Sequence, residues 1–110
     1  MNLQGPAPLK INIMIEKKNQ FRKVNSQLNN LYKEIGILSK KSPNDAVNKF
    51  KLKFINQSLK DANELLGNEY KPYLDFEIFN EDEIPTTSDV VMILNLYLSA
   101  LNRFKSDRSK

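Results

Sequence analysis

Six acids, Asp75, Glu77, Glu81, Asp82, Glu83 and Asp89, crowd the stretch before the last apolar segment. Carboxylates at close spacing can hold calcium or run general acid–base steps. A calcium loop needs oxygen ligands at alternating positions and glycine at the sixth; counted from Asp75, Phe79 is fifth and Asn80 sixth, so the pattern fails. A glycosidase-type pair needs one acid held in an apolar pocket, and nothing in the spacing of Asp82, Glu83 and Asp89 demands one. The chain has no histidine and no cysteine, which removes the usual neutral general base, the commonest metal-binding ring, thiolate ligands and disulfides. Gly5, Gly36 and Gly67 are too far apart to cradle a phosphate. These absences point away from an enzyme: no catalytic residue, metal, cofactor or small-molecule substrate is expected.

Two other sets of side chains are suited to binding. Lys17, Lys18, Arg22 and Lys23 cluster early, and Lys49, Lys53 and Lys60, joined by Asn56, fall on one side of a second helical stretch. Spaced cations can track a phosphate backbone, although lysine outnumbers arginine, the better base reader, and the junction at 39–44 lacks a helix-turn-helix pattern. The second set is aromatic: Tyr70, Tyr73, Phe76 and Phe79 recur every third residue among the acids. These rings either dock into a partner's apolar groove, with the acids meeting a basic rim, or plug one end of the chain's own core.

Three helical stretches must position these residues. Met14, Phe21, Val24, Leu28, Leu31, Ile35 and Leu38 are spaced by sevens, threes and fours, with Lys17 at the missing position. That is a narrow coiled-coil stripe, and it predicts a helix over about residues 10–41. Two features oppose it: Gly36 in the interior, and the strand-like alternation of Leu9, Ile11, Ile13 and Ile15, which leaves 9–15 open between helix and strand. Ser42-Pro43-Asn44-Asp45 reads as an N-cap with proline at the first helical position, so a second helix is expected from 43 to a stop at Gly67-Asn68. Its two apolar seams, Val47, Phe50, Phe54 and Leu65 beside Leu52, Ile55, Leu59, Ala62 and Leu66, require a neighbour on each side. Pro85 to Asp89 offers another cap, and Val90 to Phe104 is apolar nearly all round except Asn95, Ser99 and Asn102. That polar line is either the solvent side or a set of hydrogen-bonding groups buried in an oligomer.

Charge divides the same way. Residues 10–60 hold twelve basic side chains against three acids, whereas 68–89 hold seven acids against Lys71; the whole chain is +4. At 110 residues one domain is expected: a disordered leader at 1–8, a helical domain at 9–104 and a frayed tail at 105–110. No apolar run approaches the roughly 20 residues of a membrane span, and 1–8 lack a secretory pattern, which predicts a soluble cytoplasmic protein that meets no membrane. The abundance of asparagine and lysine matches an AT-rich microbial or phage genome.

The expected fold is therefore all-α, a three-helix bundle built on a long helical hairpin, with an acidic aromatic connector over one end before the third helix. At 1.5 Å per residue the first helix is about 45 Å long and the second about 35 Å, so the first overhangs the hairpin. The expected function is a non-catalytic interaction module or small regulatory subunit that self-associates or docks on a larger protein. Its partner-binding residues would be Met14, Phe21 and Val24 on the overhang, then Tyr73, Phe76 and Phe79. The alternative is nucleic-acid binding through Lys17, Lys18, Arg22, Lys49, Lys53 and Lys60.

Overall fold

The computed structural model describes residues 6–108, with side-chain burial described from Asn12 onward. It is an all-α bundle of α1 (Pro6–Lys41), α2 (Lys49–Tyr70) and α3 (Thr87–Arg108). The alternating residues at 9–15 lie inside α1. Residues 1–5 of the expected leader lie outside the described residues, while Pro6–Pro8 belong to the first turn of α1. The tail expected to fray from Lys105 continues α3 through Arg108, and 109–110 lie outside the described residues. Among the described residues no helix is long and apolar enough to cross a membrane.

The seam of α1 supplies Val24, Leu28 and Ile35 to the core, with Leu31 packed beside them. Leu52, Ile55, Leu59, Ala62 and Leu66 come from α2, and Val90, Ile93, Leu94, Tyr97, Ala100 and Leu101 from α3. Burying a large aliphatic or aromatic side chain contributes roughly 1.5–3 kcal/mol before the entropy of ordering is charged against it. Asn95, Ser99 and Asn102 are exposed, which makes their line the outer side of α3 in the single chain.

The second helix begins at Lys49, six residues later than the serine–proline cap predicts. The backbone of 42–47 is engaged elsewhere. Val47 N–H donates to Pro85 O at 3.0 Å, Thr87 N–H to Asp45 O at 2.9 Å and Ser88 N–H to Pro43 O at 3.1 Å. The Thr87 hydroxyl donates to Ser42 O at 2.7 Å. The turn therefore serves as a cap for α3, supplying carbonyls to amides that a helix start leaves without partners. Asn48 is the true N-cap of α2, its side chain accepting from Lys51 N–H at 2.8 Å. The expected stop is present: Gly67 has φ +65°, a conformation favouring glycine, and one further turn follows to Tyr70.

Contacts fix the topology. Residues 45–47 pair with 85–87, Asn63 meets Tyr97, and Tyr70 meets Phe104, so α2 and α3 run parallel. Phe21 stacks on Phe104 with centroids 6.2 Å apart, so α1 is antiparallel to both. Two consecutive parallel helices force the connector, residues 71–86, to travel back along the bundle. It does not plug an end, as the sequence reading allowed, but lies lengthwise as a strap between α2 and α3. Asn56 holds it at two points, donating from Nδ2 to Phe79 O and accepting from Phe79 N–H, each at 2.9 Å. Asn63 Nδ2 donates to Glu77 O at 2.8 Å, while its Oδ1 accepts the Tyr97 hydroxyl at 2.6 Å. Asn56 is thus a buried clamp and not part of an exposed basic face. The seam containing Phe50 and Phe54 is split: Val47 is buried and Leu65 packs against the core, whereas Phe50 and Phe54 are 71% and 49% exposed in the single chain. Besides α1 and α3, α2 is flanked by the strap, held by polar side chains that an apolar count does not register.

Candidate interaction surface

Phe21, stacked on Phe104, packs α1 against the core, and the last turn of α3 runs on beside the α1 residues that precede Phe21. Residues 6–20 continue as helix for about 22 Å at 1.5 Å per residue, and all side chains from Asn12 to Asn19 are exposed. The molecule is accordingly 63 Å long and 27 by 25 Å across. Ile13, Met14 and Ile15 are exposed on this overhang, Met14 by 60%.

Where the overhang meets the end of α3 there is an open groove of about 430 Å³. Met14, Phe21 and Phe104 supply its apolar wall; Lys17, Lys18 and Arg22 from α1 and Lys105 and Arg108 from α3 supply its rim. Arg108 lies over the Phe104 ring, 5.0 Å from the centroid. The Tyr70 ring meets Phe104 edge-on at 5.4 Å, and its hydroxyl donates to Asp107 Oδ2 at 2.7 Å. That bond, with lesser help from desolvation and nearby negative charge, holds the Tyr70 phenol above its ordinary value.

The strap presents a second surface of opposite sign. Tyr73, Leu74 and Ile78 are exposed, and so are Asp75, Glu77, Glu81, Asp82 and Glu83. Glu77 is bonded to Lys71 at 3.0 Å. Phe76 and Phe79 face inward, 5.3 Å from each other edge-on, with Phe76 also 6.4 Å from Tyr97.

The structure therefore divides the sequence-predicted residues. Met14 and Tyr73 are accessible. Phe21 is half-buried on Phe104, and Val24 is a core residue at 1% exposure, since α3 reaches one turn further along α1 than a hairpin of unequal helices implies. Phe76 and Phe79 seat the strap on its own bundle. Of the basic residues, Lys17, Lys18 and Arg22 gather at the overhang, whereas Lys49 starts α2 at the opposite end, about 35 Å away along α1. Lys60 lines a separate recess with Glu64 and Glu77. The six do not form one track. Lys105 and Arg108 join the groove without a spacing signal linking them to α1; the return of positive charge after residue 100 was the available hint. Leu74 and Ile78 were hidden by the more regular aromatic repeat beside them.

Tyr97 links core and strap and gives the bundle an alkaline sensitivity. Burial raises its phenol above 10.0, and the charge of Glu77 adds to the shift. A raised folded-state value means the unfolded chain loses this proton first, so the contribution is complete below about pH 10 and disappears as pH rises through the folded value. Denaturant melts between about pH 9 and 11 should show stability falling more steeply for the native chain than for Tyr97→Phe; equal slopes would remove Tyr97 as the cause.

Comparison with known protein families, curated proteins and solved structures finds no match to this chain.

Proposed function

We propose that this chain is a non-catalytic protein–protein interaction module, a small cytoplasmic accessory or regulatory subunit whose docking element is the α1 overhang. The single observation that carries the reading is the exposure of Ile13, Met14 and Ile15 on a helix extending past its own bundle, beside an apolar groove rimmed by cations. Apolar side chains grouped within a charged rim form the usual layout of a protein interface. An isolated four-turn helix is also marginal in water, so a partner that packs on it supplies stabilisation that the chain alone does not.

The rival is nucleic-acid binding, favoured by the five basic side chains at the groove. Titration with duplex and single-stranded oligonucleotides at about 50 and 200 mM salt separates the two. The expected result is weak binding at low salt and none tighter than about 100 μM at the higher salt, below the range of ordinary non-specific nucleic-acid binders. Micromolar affinity that falls steeply with salt would transfer the overhang to nucleic acid and end the interaction reading.

A further inference from the structure

We propose that the overhang's partner is a second copy of this chain: residues 6–20 of one copy lie along the strap of the other, and the reciprocal contact forms at the same time, closing a two-fold dimer. The proposal rests on the protein-interaction reading above and names the partner. Three features of the fold point to it.

Charge comes first. The overhang and groove carry Lys17, Lys18, Arg22, Lys105 and Arg108, with Glu16 the only acid on 6–20. Two such surfaces facing each other would set cations against cations. The strap is their complement: Asp75, Glu77, Glu81, Asp82 and Glu83 are exposed on it, and opposite charge across a contact selects partner and orientation. Apolar surface matches as well, with Ile13, Met14 and Ile15 on one side and Tyr73, Leu74 and Ile78 on the other.

Length and placement come second. The strap starts at the same end from which the overhang projects, because Tyr70 and Phe21 both pack on Phe104. From there it returns to Phe79, held at the level of Asn56. Asn56 to the break at Gly67 is 11 residues of helix, about 17 Å, and the overhang is about 22 Å long. One element has the length needed to cover the other.

Symmetry comes third. α1 packs against both α2 and α3, and the strap also packs against both, through Asn56 and Asn63 on α2 and Tyr97 on α3. They therefore occupy opposite sides of the α2/α3 layer. A two-fold axis perpendicular to α1 at the overhang end places each overhang over the other copy's strap with the bundles end to end. The interface closes on itself and leaves no unsatisfied copy.

The test uses the full chain and two exposed charge reversals, Lys17→Glu with Lys18→Glu, and Asp75→Lys with Glu81→Lys. At about 100 μM in low salt, sedimentation should give the native chain twice its 12.8 kDa mass. Each reversed chain should keep native helicity and sediment as one chain, with self-association weakened at least about tenfold. Mixed one to one, they should recover the two-chain mass, because in the mixture every overhang again faces a strap of opposite sign. A native chain of single mass, reversed chains that still pair, a mixture that stays single, or a mass growing past two chains with concentration would each overturn the closed dimer. Salt-sensitive oligonucleotide binding refutes the interaction reading itself. A single-mass chain that binds no oligonucleotide refutes only the second copy as partner.

Discussion

Asn56→Ala should lower stability by roughly 2–4 kcal/mol, because truncation leaves both the N–H and the carbonyl of Phe79 without a partner and each such group costs about 1–3 kcal/mol. In a chain of this size that corresponds to a melting temperature lower by roughly 10–20 °C. The size of the effect comes from position. Asn56 is 8% exposed, and its carboxamide matches the Phe79 peptide with two bonds of 2.9 Å, an arrangement that a smaller side chain cannot restore. Asn56→Asp keeps the acceptor but loses the donor, and its second oxygen then faces the Phe79 carbonyl. Thermal melts report the stability, and hydrogen exchange at the Phe79 amide reports whether the strap has lifted. A melt within about 2 °C of the native chain, with Phe79 still protected, would show that the clamp contributes little.

Ile35→Ala and Ile37→Ala, two residues apart on α1, should differ by several kcal/mol. Ile35 is fully buried and Ile37 is 58% exposed. Truncating a buried isoleucine removes its transfer free energy and leaves a cavity, for about 2–5 kcal/mol. A surface truncation away from any special feature stays within about 0.5 kcal/mol. Denaturant unfolding of the two variants side by side checks the register of α1 directly. Similar midpoints would mean that α1 is rotated from the orientation described.

Apolar spacing made much of this bundle legible. The seven-residue rhythm from Phe21 to Ile35 marks the face of α1 that α2 and α3 cover, and the nearly all-round apolar character of α3 marks a helix buried on most sides. The overhang followed from helix lengths alone. Misread features share one physical cause, which is that their partners lie far away in sequence. Ser42-Pro43 has the local chemistry of a helix start, but the carbonyls of Ser42, Pro43 and Asp45 bond instead to the first turn of α3, more than forty residues on. Asn56 sits among lysines and reads as solvated, yet its partner is the peptide of Phe79, 23 residues away. The aromatic repeat of the connector signalled burial correctly for Phe76 and Phe79. It could not reveal that the segment travels lengthwise, because that follows from α2 and α3 being parallel, a relation no single stretch encodes. The basic half of the groove was visible only on α1; Lys105 and Arg108 reach it through the stacking of Phe104 on Phe21.

The stacked pair Phe21 and Phe104 brings together residues 83 positions apart in the chain. During synthesis, α1 and α2 leave the ribosome well before the helix that shares the larger part of α1's inner face. Until residues 85–108 appear, Val24, Leu28 and Ile35 lack their main cover, and Val47, just ahead of α2, has no Pro85 carbonyl to donate to. Distant pairings of this kind slow folding relative to a simple up-and-down bundle, and they expose apolar surface while the chain waits. The order of translation thus makes the last helix the closing step of the bundle, and a nascent chain halted before it would leave the ribosome as an open, adhesive hairpin.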